Sequence, residues 1–297
     1  MTPKISVVMC CFNAEKYLKD SIESILNQTF KDFEFIIWND GSKDSTEDII
    51  KSYKDDRIKY FYHENTGLGM ALRLACAEAK GKYIARMDSD DISLPYRFEK
   101  EVDYLETHED CVLVSSAVFE INENGDEIRR TLPCSEDRIL KAILKTPDSM
   151  IVHPMVLMRR DAYEKAGGYL PIRKSQDVLF WSRIAKQGEF RNLSIPLGKY
   201  RILSSSLDHS NNPYKPVLTG LLRKMVLDDI ILDSDINLYN NIFNYSKSFM
   251  RQTEVSKKKS INVEDLVFRF LSFIIGDNLA ASFIIALKNN YYSFKLR

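Results

Sequence analysis

Two aspartates separated by one residue, Asp88 and Asp90, point most clearly to chemistry in this sequence. They come directly after an apolar segment of strand length, 82–87, and Asp91 follows them. In extended backbone, residues two apart point to the same side, so both carboxylates can face one ligand. Carboxylate oxygens are the ligands that Mg²⁺ and Mn²⁺ prefer in proteins. The pattern therefore predicts a divalent metal site, and a solvated polar turn is the structural alternative.

Two further acidic positions, Asp40 and Asp177, are candidates for binding or catalysis. Asp40 follows an apolar strand within the turn-forming segment 39–42, and Asp177 opens a helical pattern over 177–187. In an open parallel sheet, ligands bind beyond the carboxyl ends of the strands, where Asp40 and Asp88 are expected. A turn with a helix cap explains 39–42, and an N-cap explains Asp177, so both structural alternatives stay open.

Alternating strands and helices are predicted to position these acids. The first half shows four apolar strand segments at 5–11, 33–38, 58–62 and 82–87. Helical patterns separate them. The first covers about 14–28 with Asn13 as its cap, the second runs from the turn after Asp40 to about residue 53, and the third follows the loop 65–69 and is ended by Gly81. This order predicts an α/β fold with a largely parallel central sheet flanked by helices.

The pattern changes after Cys111. Asn124-Gly125 lies between two apolar segments and predicts a hairpin, and His153-Pro154 is interpreted as the start of a strand rather than as a metal ligand. The hairpin strands are expected at 111–120 and 127–131, and helices at 136–144, 161–166 and 177–187. Polar and proline residues at 207–214 predict a boundary between a catalytic domain, 1–206, and a mostly helical region, 207–297.

Composition excludes several classes of protein. The 42 basic and 42 acidic residues balance, so nothing favours nucleic acid as a partner. No segment reaches the roughly 18 apolar residues that a membrane span needs. The five cysteines are odd in number and form no C-x-x-C pair, which predicts a reduced, cytoplasmic chain. The four histidines lack the spacing of a helical zinc pair.

Taken in order, these segments resemble the family-2 glycosyltransferases, a GT-A-fold group that includes bacterial capsule and lipopolysaccharide enzymes. The matching segments are 5–18, 36–46, 81–95, 167–169, 176–177 with Trp181, and 200–201. Together they cover about residues 4–206, and their order and spacing are specific even though each motif alone is modest. The resemblance implies a GT-A nucleotide-diphospho-sugar transferase fold and leaves 207–297 without a matching motif.

The resemblance also implies roles for individual residues. Asp88 and Asp90 match a D-x-D motif, in which Asp90 is the usual ligand of Mn²⁺ or Mg²⁺ and Asp88 lies near the ribose and the metal. Asp177 matches the aspartate that acts as general base. The implied nucleotide-sugar contacts come from Asn13, Asn39, Asp40, Arg73 and Asp88.

Some positions depart from the family pattern. Gln176 stands where a glutamate is usual, Leu203 lies where a histidine is common, and Arg73 replaces a common asparagine. The implied function is transfer of a sugar, with inversion, from a UDP-sugar to a carbohydrate or lipid-linked saccharide in surface polysaccharide biosynthesis. A sugar-1-phosphate nucleotidyltransferase and a non-catalytic nucleotide-sugar binding module remain the alternatives.

The C-terminal region carries two short apolar segments, 266–275 and 279–287, with the basic segment 257–259 before them. Such a pattern suits contact with an anionic membrane surface without spanning it. We therefore expect the protein in the cytoplasm, peripheral to the inner face of the plasma membrane. Packing of these helices on the catalytic domain, or into a homodimer, is the alternative.

Overall fold

The computed structural model describes residues 2–131, 151–171 and 176–203. In the first half, strands and helices alternate in the predicted order, and the four expected strands are confirmed. The elements are β1 (Ile5–Cys11), α1 (Leu18–Leu26), β2 (Phe33–Asn39), α2 (Thr46–Ser52), β3 (Ile58–Tyr62), α3 (Leu68–Ala77) and β4 (Tyr83–Asp88).

The second half adds shorter strands and helices. The elements are β5 (Ile92–Ser93), α4 (Arg97–Thr107), β6 (Cys111–Ile121), β7 (Glu127–Arg130), a 3-10 turn (His153–Met155), β8 (Leu157–Arg159), α5 (Arg160–Lys165), α6 (Gln176–Ile184) and β9 (Glu189–Arg201). The hairpin of β6 and β7 is confirmed, as are the helices α5 and α6. The predicted helix at 136–144 and the whole region 207–297 lie outside the described residues.

The strands form one sheet in the order β3-β2-β1-β4-β8-β6-β9-β5, with β7 beside β6. The strands from β3 to β4 are parallel, β8 is antiparallel to both of its neighbours, and β6 and β9 are parallel. The predicted α/β class is therefore confirmed. Because β1 pairs Cys11 with Asn39 and Cys10 with Asp88, the carboxyl ends of β2, β1 and β4 are level.

Helices cover both faces of the sheet, so its central strands are buried on both sides and mostly apolar. All seven residues of β1 are buried. Val8 belongs to a core shared with residues of α3 and α6, whereas Val7 belongs to a core shared with α1 and α4. A strand that is buried on both faces has no polar side, which explains the continuous apolar segments seen in the sequence.

Three local predictions were wrong. α1 begins at Leu18 instead of residue 14, and Asn13 does not cap it, because its Oδ1 accepts from Lys43 N at 2.9 Å in the next loop. His153 begins a 3-10 turn, and β8 starts only after Val156. α3 ends at Ala77, before Gly81.

Gly81 has a different role. A Cβ at this position would lie 2.6 Å from Ser6 N and 2.7 Å from Ile5 C, so only glycine allows the chain to approach β1 so closely. Ser6 Oγ accepts from Gly81 N at 2.8 Å and donates to Glu34 at 2.6 Å. The start of β4 is thereby fastened to β1 and β2.

Candidate active site

The carboxyl end of β4 carries a cluster of three carboxylates. Asp88 is the last residue of the strand, and Asp90 and Asp91 follow it. One oxygen from each lies within 4.8 Å of the others. Oδ2 of Asp91 is buried and has no hydrogen-bond partner among the described residues. Three carboxylates at this spacing, one of which has a buried oxygen without a hydrogen bond, fit a single Mg²⁺ or Mn²⁺ ion. Water or phosphate oxygens would be its further ligands.

A buried arginine balances part of this negative charge. Arg86 lies two residues earlier in β4 with only 2% of its surface exposed, and its Nη1 forms an ion pair with Asp88 Oδ1. Burial, and then the charge of Asp88, raise the pKa of Asp90 to about 6, while Arg86 acts against both. A divalent cation would therefore relieve a repulsion that the charges of Arg86 and Arg201 balance only in part.

Asp91 is the most buried of the three acids. Its Oδ1 accepts from Arg201 N at 2.7 Å, and its carbonyl oxygen accepts from Ser21 Oγ at 2.7 Å. Burial raises the pKa of Asp91 well above its usual value. Asp88 and Asp90 are half-buried and open to a ligand, which agrees with the assignment of the metal to these two residues. That assignment stays a prediction.

Asp40 directly follows β2 and is almost fully buried. Its Oδ1 accepts from Thr66 N at 2.9 Å and Thr66 Oγ1 at 3.0 Å, and its Oδ2 accepts from Gly67 N at 2.9 Å. The carboxylate therefore fixes the loop that leads into α3. A contact between Asp40 and a nucleotide stays a prediction, and any such contact would use lone pairs that the loop leaves available.

Two asparagines shape the neighbouring loop at 41–45. Asn39 is fully buried, with its Oδ1 accepting from Ser42 N at 2.9 Å and its Nδ2 donating to Tyr60 Oη at 3.3 Å. Asn13 is exposed, and its backbone N–H donates to Ser42 Oγ at 2.9 Å. The structure thus shows both residues holding loops at the carboxyl edge of the sheet, while their contact with a nucleotide sugar stays a prediction.

Arg73 lies on α3, away from the acidic cluster in its contacts. Its Nη1 donates to Gly167 O at 3.2 Å and Tyr169 O at 3.0 Å. Arg183 on α6 donates to Gly168 O from the other side. The two arginines therefore hold the segment 167–169 between α3 and α6.

Asp177 lies in the first turn of α6 and is half-buried. One turn later, Trp181 packs edge-to-face on His153, with 5.4 Å between ring centroids. His153 Nε2 lies 2.8 Å from Tyr169 Oη. Burial raises the pKa of Tyr169 well above its usual value, and the charges of Arg86 and Asp177 act on this hydroxyl in opposite directions. The charges of Arg86, which pairs with Asp88, and of Asp177, the predicted base, thus both act on Tyr169.

Comparison with known proteins decides the family. Residues 6–167 match the family described as Glycosyl transferase family 2, which is more than half of the chain. The chain belongs to this family.

Similar proteins agree with this assignment. An uncharacterized glycosyltransferase of Methanocaldococcus jannaschii is 42% identical over 208 residues, covering 67% of this chain and 71% of that protein. The O-antigen biosynthesis glycosyltransferase WbnJ of Escherichia coli is 33% identical over 255 residues, covering 83% of this chain and 97% of WbnJ. Among solved structures, S. aureus TarS in complex with UDP-GlcNAc shares the fold, with a TM-score of 0.65 at 18% identity, covering 91% of this chain and 81% of that one. The predicted GT-A glycosyltransferase fold is confirmed.

Three residues at the candidate site of this family-2 glycosyltransferase had no role predicted from the sequence. Phe12 directly follows β1, and 50% of its side chain is exposed, although it stands at the end of the central strand between β2 and β4. An aromatic residue directly after a buried strand could have indicated a binding surface at this edge of the sheet. A charged residue inside an apolar strand, Arg86, was a second signal. Arg201 lies in the matching segment 200–201, but its partners Asp90 and Asp91 are distant in sequence, so its contacts could not be predicted.

Proposed function

We propose that this family-2 glycosyltransferase moves a sugar from a UDP-sugar to a hydroxyl group of a carbohydrate or lipid-linked saccharide, with inversion at the anomeric carbon. The observation that carries the proposal is the placement of two kinds of acid. A cluster suited to a cation follows β4, and a half-buried aspartate, Asp177, lies in the first turn of α6. The name of WbnJ supports a role in surface polysaccharide biosynthesis, and the UDP-GlcNAc bound to TarS supports a UDP-sugar donor.

Asp90 and Asp88 would hold the divalent cation, Mn²⁺ or Mg²⁺. When bound, the cation supplies Lewis-acid stabilisation of the negative charge on the departing diphosphate. Arg86 keeps one oxygen of Asp88 in a defined place through their ion pair. The two acids therefore differ in their surroundings. Asp88 is paired with Arg86, whereas Asp90 has no ion pair among the described residues.

Asp177 accepts the proton of the acceptor hydroxyl as that oxygen attacks the anomeric carbon. The bond between this carbon and the diphosphate oxygen breaks on the opposite face, and the bonding electrons leave with the diphosphate. A single displacement of this kind inverts the configuration. Placing the base on a helix packed through Trp181 and His153 gives it a fixed position, as proton transfer requires.

The nucleotide is assigned to the edge formed by the carboxyl ends of β2, β1 and β4. Neighbouring strands lie about 4.8 Å apart, so Asp40 and Asp88, which flank β1, are separated by roughly 10 Å across the sheet. Phe12 lies between them and offers an aromatic face on which a base can stack. Asp40 and Asn13 hold the loops on the β2 side of this edge.

Asp177→Asn tests the chemistry. We expect it to lower the transfer rate at least a hundredfold while Mn²⁺-dependent binding of UDP stays intact, because general-base catalysis is typically worth that factor. Asp161→Asn, an exposed acid paired with Lys165 on α5, is the matched control and should retain the rate. More than about a tenth of the rate in Asp177→Asn would exclude it as the base. Retained anomeric configuration in the product, measured by proton NMR, would exclude the single displacement.

Calorimetry with UDP, GDP and dTDP, with and without Mn²⁺, tests the donor. We expect UDP to bind most tightly and only with the metal. Absence of binding to all three would refute nucleotide-sugar transfer. Formation of a nucleotide-sugar from a sugar 1-phosphate and a nucleoside triphosphate would favour the nucleotidyltransferase instead.

We assign catalysis to residues 1–206 and propose that 207–297 bring the enzyme to the cytoplasmic membrane surface, where lipid-linked acceptors would lie. Within the described part of the chain, no helix is long and apolar enough to cross a membrane. Flotation with anionic liposomes at low salt tests this attachment. Full-length protein that remains at the bottom of the gradient would contradict it and favour packing of these helices or a homodimer.

A further inference from the structure

Arg201, the last residue of β9, contacts the loop that carries the acids through two hydrogen bonds. Its backbone N–H donates to Asp91 Oδ1 at 2.7 Å, and its Nε donates to the carbonyl oxygen of Asp90 at 2.8 Å. Only 5% of Arg201 is exposed. One residue therefore holds the main chain of one acid and the side chain of the next.

The rest of its guanidinium group is fixed by two other segments. Nη1 donates to Asn122 O at 3.1 Å and Glu123 O at 3.2 Å, in the turn between β6 and β7. The guanidinium carbon lies 4.2 Å from the ring centroid of Tyr17, directly before α1. These contacts orient the side chain from two more directions, so its Nε has a defined position when it meets Asp90.

We propose that Arg201 is a positioning residue of the metal site, which locks the loop 88–91 so that the Asp90 carboxylate stays beside that of Asp88. Arg201 does not touch the metal or the substrate in this assignment. A lysine cannot replace it, because a single ammonium group lacks the fork that spans the carbonyls of Asp90 and Asn122. The inference rests on the proposed function, since it assigns the cluster to a divalent cation.

The test measures Mn²⁺ binding directly, without turnover. The EPR signal of free Mn²⁺ is titrated with the full-length protein, alone and with saturating UDP. Arg201→Lys should bind Mn²⁺ about 10- to 100-fold more weakly than the wild type, the usual effect of removing a group that orients a metal ligand. Arg129→Lys is the matched control, because Arg129 also makes a two-pronged contact, with Glu120 at 2.8 and 2.9 Å, but on exposed β7. It should keep the wild-type affinity.

Tyr17 provides a milder variant in case Arg201→Lys does not fold by near-ultraviolet circular dichroism. Tyr17→Leu removes the ring beneath the guanidinium group and should weaken Mn²⁺ binding more than Tyr17→Phe, which keeps the ring. Wild-type Mn²⁺ affinity in a folded Arg201→Lys, or equal affinities of the two Tyr17 variants, would overturn the positioning role alone. A wild-type protein that bound no Mn²⁺, with or without UDP, would refute the metal site itself.

Discussion

Asp40→Asn separates the structural role of this residue from a role in binding. In the wild type, both carboxylate oxygens accept backbone N–H groups, from Thr66 and Gly67 at 2.9 Å each. An asparagine amide has one acceptor oxygen, so its NH₂ group must face one of these two donors. The variant therefore loses one hydrogen bond to a charged acceptor and leaves a backbone donor unpaired at a site that is only 3% exposed.

The expected loss is about 2 to 4 kcal/mol in the free energy of unfolding, because a hydrogen bond to a charged group contributes about 1.5–3 kcal/mol and an unpaired buried donor adds its desolvation cost. For a domain of this size, that corresponds to a fall in melting temperature of roughly 5 to 15 °C. Thr66→Val removes only the neutral hydroxyl donor at 3.0 Å and should cost about 1 kcal/mol.

Urea unfolding without nucleotide measures these changes. Asp56→Asn, an exposed acid of the loop before β3, serves as control and should stay within about 0.5 kcal/mol of the wild type. The double variant of Asp40 and Thr66 should lose less than the sum of the single losses, since both act on one hydrogen-bonded group. Wild-type stability of Asp40→Asn combined with lost UDP binding would refute the loop-holding role and assign Asp40 to the ligand directly.

Three further predictions concern stability and metal binding. Burial raises the pKa of Glu101 to about 7 although its ion pair with buried Arg97 lowers it, so between about pH 4.5 and 7 the folded protein holds a proton that the unfolded chain has lost. Stability should therefore fall as the pH rises through this window, and Glu101→Gln should remove this decline when urea unfolding is compared at pH 5 and pH 8. Gly81→Ala should lower the free energy of unfolding by about 1–3 kcal/mol, since its methyl group would lie 2.6 Å from Ser6 N; an unchanged urea midpoint would contradict this contact. Asp90→Ala should weaken Mn²⁺-dependent UDP binding at least about tenfold in calorimetry, and wild-type affinity in this variant would contradict its role as a ligand.

The sequence predicted the four strands β1 to β4 and the hairpin of β6 and β7 but missed α4 and β9, for reasons visible in single residues. β1 was readable because every position is buried and all but Ser6 are apolar. α4 was not recognised because Arg97 and Glu101 occupy fully buried positions one turn apart, where an apolar stripe is expected. β9 was not recognised because Pro196 and Gly198 interrupt it, near register shifts in its pairing with β6.

The same distinction applies to the site. The acids at the ends of β2 and β4 could be predicted because strand order alone brings the carboxyl ends of parallel strands to one edge. The partners of those acids could not, since they depend on tertiary contacts: Asp91 is held by a residue 110 positions away, and Asp40 by a loop 26 and 27 positions away. Residue types thus indicate which groups can carry the charge. Their hydrogen-bond partners determine which oxygens remain available, and for that reason Arg201→Lys and Asp40→Asn test the geometry of the site more directly than removal of the acids does.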